Sequence, residues 1–235
     1  MNSSRLVASV GGYFVSHSQD AIAFHLYGGI SASVELALGK VALRETSAYP
    51  WSGEIRIEVQ PEQPAEFSLA LRIPGWARGA TALVNGEAVA VEAATRNGYL
   101  IIRRLWRPGD AVSLDLPMPP ERIYAHPDVR MDVGRVALRR GPLVYCVEEA
   151  DNPGGPVQRL KLPRSSELRT ERRDDLFDGI VTLSADASRL TDSDWHRTLY
   201  RTLPPTEAHT TLTALPYYLW NNRHHGSMMV WLAEA

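Results

Sequence analysis

The chain has 235 residues, 44% of them hydrophobic and 22% charged, with a net charge of −2. That length suits one large sandwich or two small domains, and the near-neutral balance gives no bulk electrostatic drive toward nucleic acid or an anionic membrane. The single cysteine, Cys146, excludes an internal disulfide, and no apolar run approaches the ~18 residues of a membrane helix.

The start, Met1 to Leu6, lacks the apolar core and small-residue cleavage site of a signal peptide. Leu6 to Val15 is mixed and carries Gly11-Gly12, so it gives only a weak pattern. From Ala21 a period of two begins: Ile22, Phe24 and Leu26 face one way, and Ala21, Ala23 and His25 the other. The same alternation marks Ala32 to Leu38, Ile55 to Val59, Phe67 to Ile73 and Val112 to Leu116. Asn85-Gly86 separates Leu83-Val84 from Ala88-Val89-Ala90-Val91. Both central residues of a type I′ turn need positive φ, which Asn and Gly tolerate, so a hairpin is predicted there. About eight strands at short spacing, with no helical window among them, predict a sandwich or jelly roll.

Pro117-Met118-Pro119-Pro120 predicts a domain boundary, because prolines cannot continue a sheet ladder. The stretch from Asp132 to Cys146 reads as a buried strand, a Gly141-Pro142 break and a second buried strand. Asp151 to Pro156 and the charged run Arg164 to Asp175 read as surface loops. Val181 and Leu183 mark a weak strand, and Ser184 to Thr206 reads as irregular. Thr210, Leu212 and Ala214 alternate, Leu215 to Trp220 is aromatic, and Met228 to Trp231 reads as a closing strand. The fold class is therefore all-β, in two sandwich or jelly-roll-like domains, 19–118 and 119–235.

Candidate chemistry is sparse. Glu148, Glu149 and Asp151 have the residue types of a glycosidase carboxylate pair, but they directly follow a strand and need not face each other. A solvated loop mouth is the simpler reading. His224-His225 has the type of metal ligands, yet neighbours on a strand point to opposite faces, and a polar turn fits better. Cys146 in an apolar strand reads as a small hydrophobe. The pairs Arg103-Arg104, Arg139-Arg140 and Arg172-Arg173 read as surface charge. Trp51 and Trp76 stand at loop positions where sugar-stacking rings are often found, but core or domain-interface packing is the favoured reading. There is no phosphate loop, nucleophile elbow, HExxH or CxxC. No catalytic, cofactor-binding or metal-binding residue is assigned.

Several stretches, taken in order, carry a resemblance. They are Tyr49-Pro50-Trp51-Ser52-Gly53, Leu69 to Ala77, Val84-Asn85-Gly86-Glu87, Gly98-Tyr99-Leu100, Trp106 to Asp110, Asp132 to Tyr145 and Leu212 to Tyr218. Together they resemble the C-terminal half of glycoside hydrolase family 127, the β-L-arabinofuranosidase-like proteins. Each motif alone is modest, whereas the ordered set is specific.

The resemblance implies an N-terminal (α/α)6 barrel carrying catalysis, followed by two β-sandwiches. It implies a zinc-bound cysteine as nucleophile and a glutamate as acid/base, a thiolate being kept deprotonated by the metal. Asn2-Ser3-Ser4-Arg5 resembles the Asn-x-x-Arg segment that follows the family's Cys-Cys-Pro run, and Met1 stands where that run would end. The barrel, its glutamates and the zinc-ligand cysteines are thus expected to be missing, with no cofactor in this chain. Cys146 matches no catalytic cysteine of the family. The segment 1–18 is expected to join the second sandwich, with Tyr13, Phe14 and Val15 packing as a strand there. The expected function is the accessory half of a hydrolase, inactive alone, whose partner is the barrel. The alternatives are a free carbohydrate-binding module using loop Trp and Tyr residues, and a hydrolase whose barrel lies on a neighbouring chain. No nucleic-acid or membrane partner is expected, and a homo-oligomer is left open. Sugar specificity and localisation are left open as well, with the cytoplasm slightly favoured.

Overall fold

The structure, a computed structural model, describes residues 2–195 and 198–235. Met1, which stands where the family's cysteine run would end, lies outside the described residues. The chain divides into two compact units, Met1–Met118 and Pro119–Ala235. The division falls inside the proline cluster, where ladder hydrogen bonding must stop.

The first unit opens with a helix, α1 (Asn2–Ser9), in a stretch whose mixed sequence gave no helical period. Its strands are β1 (Val15–His17), β2 (Ala21–Phe24), β3 (Ser31–Leu36), β4 (Gly39–Ser47), β5 (Glu54–Pro61), β6 (Ala65–Arg72), β7 (Thr81–Val84), β8 (Glu87–Val89), β9 (Thr95–Arg96), β10 (Tyr99–Trp106) and β11 (Asp110–Asp115). They form a five-stranded sheet, β1-β2-β6-β10-β9, and a six-stranded sheet, β3-β4-β5-β11-β7-β8. All pairs are antiparallel except β2 with β6. The alternating residues do what their period requires. Phe24, Phe67, Leu69, Leu71, Leu100 and Trp106 of one sheet share a core with Leu43, Ile55, Ile57, Val59, Val112 and Leu114 of the other.

The hairpin at Asn85-Gly86 forms with φ of 53° and 87°, the left-handed values its turn demands. Asn85 also fixes that turn to β11. Its amide nitrogen donates to Asp110 Oδ1 at 2.8 Å, and its carbonyl oxygen accepts the Ala111 N–H at 2.8 Å. The strand expected through Val91 stops at Val89. Val91–Ala94 makes one helical turn, α2, on which Thr95 Oγ1 donates to the Val91 carbonyl at 2.7 Å.

The segment expected to join the second sandwich belongs to the first. Val15 pairs with Phe24 and His17 with Ile22, and His25 N–H donates to the Phe14 carbonyl at 2.8 Å. The physical reason is local: three residues separate β1 from β2, and a short closure costs far less entropy than a distant one. His25 then ties this edge inward. Its Nε2 lies 2.7 Å from Ser16 Oγ and its Nδ1 2.7 Å from the Tyr99 hydroxyl.

The second unit holds β12 (Pro120–Ile123), β13 (Arg135–Arg140), β14 (Leu143–Glu148), β15 (Leu160–Leu162), β16 (Arg169–Arg173), β17 (Ile180–Leu190), β18 (Glu207–Pro216), β19 (Met228–Met229) and β20 (Leu232–Glu234). Gly141, with φ of 54°, and Pro142 break β13 from β14 as the sequence indicates. These strands form one nine-stranded sheet that closes on itself. Pairing runs from β13 through β20, β15, β17, β18 and β14 and returns to β13. Inside lie Val136, Leu138, Tyr145, Val147, Leu160, Leu183, Leu212 and Leu232. Tyr145 is buried, and its hydroxyl donates to the Val181 carbonyl at 2.9 Å.

Three segments differ from their sequence reading. The charged run read as loop contains β16, paired with β17 from Arg169↔Ser184 to Arg173↔Ile180. Four of its five residues are exposed, so it has no apolar face for periodicity to reveal. The stretch read as irregular from Ser184 begins inside an eleven-residue strand, β17, and 196–197 of that stretch lie outside the described residues. The closing strand is interrupted at Val230 and Trp231, leaving β19 and β20.

Candidate functional site

The carboxylates after β14 are not a solvated loop mouth. Glu148 is buried, and Arg223, from the loop after β18, reaches it with Nη2 at 2.6 Å from Oε2. The same guanidinium takes Asp151, Nη1 to Oδ1 at 2.7 Å and Nη2 to Oδ2. Glu148 Oε1 accepts the Asn221 N–H at 2.7 Å. Glu149 accepts the N–H and hydroxyl of Ser227 at 3.0 and 2.8 Å, and these bonds hold its carboxyl below the usual range. The Phe177 ring completes the set, 5.6 Å from Arg223 Cζ. A glycosidase pair needs two carboxylates flanking free space for a sugar. Here all three are spent on bracing the 217–227 loop.

Cys146 is 1% exposed. Burial pushes its thiol up to about 12, with Glu148 and Asp151 adding to the effect, so the thiolate that a nucleophile requires is disfavoured. His224 and His225 are exposed on the turn beyond Arg223. Among the described residues no three His, Cys, Asp or Glu groups cluster as metal ligands. The residues present therefore do not fit the zinc that the family resemblance implies, and no catalytic step is derived through it.

Trp76 and Trp106 follow the packing reading, and the exposed rings lie on another turn. Trp76 packs against the first core, and Trp51 is half-buried in the loop after β4. Trp106 is fully buried, with Nε1 donating to the Phe67 carbonyl at 3.1 Å and its ring stacked on Phe67 at 5.9 Å. The exposed rings lie elsewhere. Tyr217, Tyr218 and Trp220 are 44%, 57% and 39% exposed on the 3₁₀ turn Tyr217–Leu219 and its end. Residues three apart on such a turn eclipse, which sets Tyr217 and Trp220 on one side. The sequence signal was there in the run Leu215 to Trp220. It was masked because aromatic density reads equally well as core.

Comparison with known proteins agrees with this architecture. Residues 21–118 match the family model described as beta-L-arabinofuranosidase, GH127 middle domain. Residues 120–233 match the glycoside hydrolase family 127 C-terminal domain. A non-reducing end beta-L-arabinofuranosidase of Bifidobacterium longum subsp. longum is 32% identical over 240 residues, covering 97% of this chain and 36% of its own length. The crystal structure of a GH127 beta-L-arabinofuranosidase from Geobacillus stearothermophilus T6 is 44% identical with a TM-score of 0.95, over 100% of this chain and 37% of that one. A second solved GH127 beta-arabinofuranosidase is 32% identical with a TM-score of 0.89, over 100% of this chain and 38% of its own.

Fold and matches together define an accessory β-sandwich part of a glycoside hydrolase. The chain belongs to glycoside hydrolase family 127, of which it carries the middle and C-terminal domains. It spans a little over a third of the length of the relatives it matches.

Proposed function

We propose that this chain acts as the accessory half of a β-L-arabinofuranosidase-like glycoside hydrolase and has no hydrolytic activity by itself. The observation that carries the reading is the state of its own reactive groups. Glu148 and Asp151 are locked to Arg223, and Cys146 is buried as a thiol. None is free to attack or protonate a glycosidic bond. The full end-to-end match to a third of much longer arabinofuranosidases supports a chemistry supplied by an (α/α)6 barrel outside these residues. The test is hydrolysis of an aryl β-L-arabinofuranoside by the purified chain, with zinc and reductant present. No turnover is expected. Turnover that disappears in Cys146→Ser would overturn the reading and make Cys146 the nucleophile.

A second reading, carbohydrate recognition by this β half, is favoured by the exposed rings of Tyr217, Tyr218 and Trp220 on a turn braced through Arg223. Aromatic faces stack on the C–H faces of sugars, and a braced platform loses little entropy on binding. Tryptophan fluorescence during titration with a β-L-arabinofuranosyl disaccharide tests it. A saturable change that Trp220→Ala abolishes supports recognition there, and a flat titration refutes it.

A further inference from the structure

The outward face of the six-stranded sheet contains a hollow of about 710 Å³ over β4, β5, β11 and β7. Its floor is set by strand register. Glu54, Asp115 and Thr81 are directly opposite one another across three strands, and Arg56, Ser113 and Leu83 form the next row. All six line the hollow.

This grid does little for the sheet. Opposed like charges on an antiparallel pair are destabilising, and Glu54 stands directly across from Asp115. Among the described residues no hydrogen bond or ion pair engages either carboxylate. Arg56 turns instead to Glu58, at 3.6 Å between exposed side chains, a contact that contributes little. Leu83 keeps 40% of its surface exposed in the same concavity.

We propose that this hollow binds a short neutral oligosaccharide. Each carboxylate has two acceptor oxygens, which suit the paired hydroxyls of a sugar. Ser113 and Thr81 both donate and accept, and the Arg56 guanidinium supplies further donors. Leu83 offers the apolar contact for a sugar C–H face. Size agrees, since ligand sites are clefts of roughly 300–1,000 Å³ with a few converging polar groups. The charge is selective. Two carboxylates against one guanidinium repel uronates, phosphates and nucleic acid. The proposal sharpens the carbohydrate-recognition reading and rests on it, but it places the ligand in a hydrogen-bonding hollow of the first unit and not on the aromatic turn of the second.

The test is an amide-resolved NMR titration of the whole 235-residue chain. The probes are a β-L-arabinofuranosyl disaccharide, trigalacturonate as the acidic control, and calcium chloride. Saturable shifts with the neutral disaccharide are expected at β5, β7 and β11, and none with trigalacturonate. Glu54→Gln combined with Asp115→Asn should weaken binding about tenfold, since bonds to charged acceptors are among the stronger ones. The same variant should melt no lower than the parent, because a like-charge pair has been removed. Disaccharide shifts that persist in this variant and vanish in Trp220→Ala would overturn the hollow and leave the recognition reading standing. No disaccharide binding anywhere would overturn both. Shifts produced by calcium chloride and not by the disaccharide would replace the sugar site with a cation site.

Discussion

Asn152 pairs with Thr213 as one more residue of a strand would. Its amide nitrogen donates to the Thr213 carbonyl at 2.8 Å, while its carbonyl oxygen accepts the Thr213 N–H at 2.9 Å. A third bond runs from the same nitrogen to the Glu148 carbonyl at 2.8 Å. Beside it Arg189 donates to the carbonyls of Asn152 and Gly155 at 2.8 and 2.6 Å. The side chain of Asn152 is buried, so these groups have no water to fall back on.

Asn152→Ala should therefore destabilise the second unit by about 2 kcal/mol, the cost of leaving the backbone N–H and C=O of Thr213 unpaired. Urea unfolding monitored by circular dichroism measures it. A midpoint unchanged from the parent would show that the pairing is dispensable.

Arg223→Met should cost about 3 kcal/mol, because it leaves Glu148 and Asp151 adjacent, mostly enclosed and without their shared cation. The loop that Arg223 holds should loosen with it. Acrylamide should then quench the indole of the 217–227 loop more readily than in the parent. Equal quenching and equal stability would show that the network does not brace the aromatic turn.

Asp110 predicts an acid-dependent loss in the first unit. Burial opposes its charge, but the Arg107 N–H at 2.9 Å, the Asn85 amide at 2.8 Å and Arg104 outweigh that cost and hold the carboxyl below its usual value of 3.8. A carboxyl with a depressed folded pKa binds its proton less readily when folded than when unfolded. Its contribution is thus complete above 3.8 and is lost as pH falls through the lower, folded value. Asp110→Asn should be less stable than the parent at neutral pH, and the gap should close in that acidic window. A gap that stays constant down to the acid limit would contradict the assignment.

Cys146 should resist thiol reagents in the folded chain at pH 8 and react at once on denaturation. Burial and the nearby carboxylates keep it protonated and enclosed. Titration with a chromogenic disulfide, before and after guanidinium, gives the answer. Fast native labelling would show an accessible thiolate.

Strand period was legible wherever one face met water and the other a core. Glu54–Pro61 and Ala65–Arg72 alternate in burial at nearly every residue, as their side chains announce. Asn85-Gly86 announced its own φ values. β16 was not legible, since exposure of four of its five residues removes the contrast on which the pattern depends. The pairing of Val15–His17 with β2 is implicit in the short turn from His17 to Ala21, whereas the family resemblance points to the second sandwich. The site residues were obscured by distance. Arg223 lies 75 residues from Glu148 in sequence, and no spacing rule joins them. The hollow was equally hidden, because Glu54 and Asp115 meet only through the β5–β11 register.

The ring of pairings in the second unit bears on how this chain meets others of its kind. A strand that has neighbours on both sides offers no free amides to a stranger. Among the described residues of that unit the strands left with one partner are β12, β16 and β19, of four, five and two residues. The first unit ends its larger sheet differently, with six-residue β3 paired on one side only, to β4. Glu35 is the single charge along it. Intermolecular strand addition, as in early aggregation on heating, therefore has its longest template at Ser31–Leu36, and a lysine placed there would act as a gatekeeper.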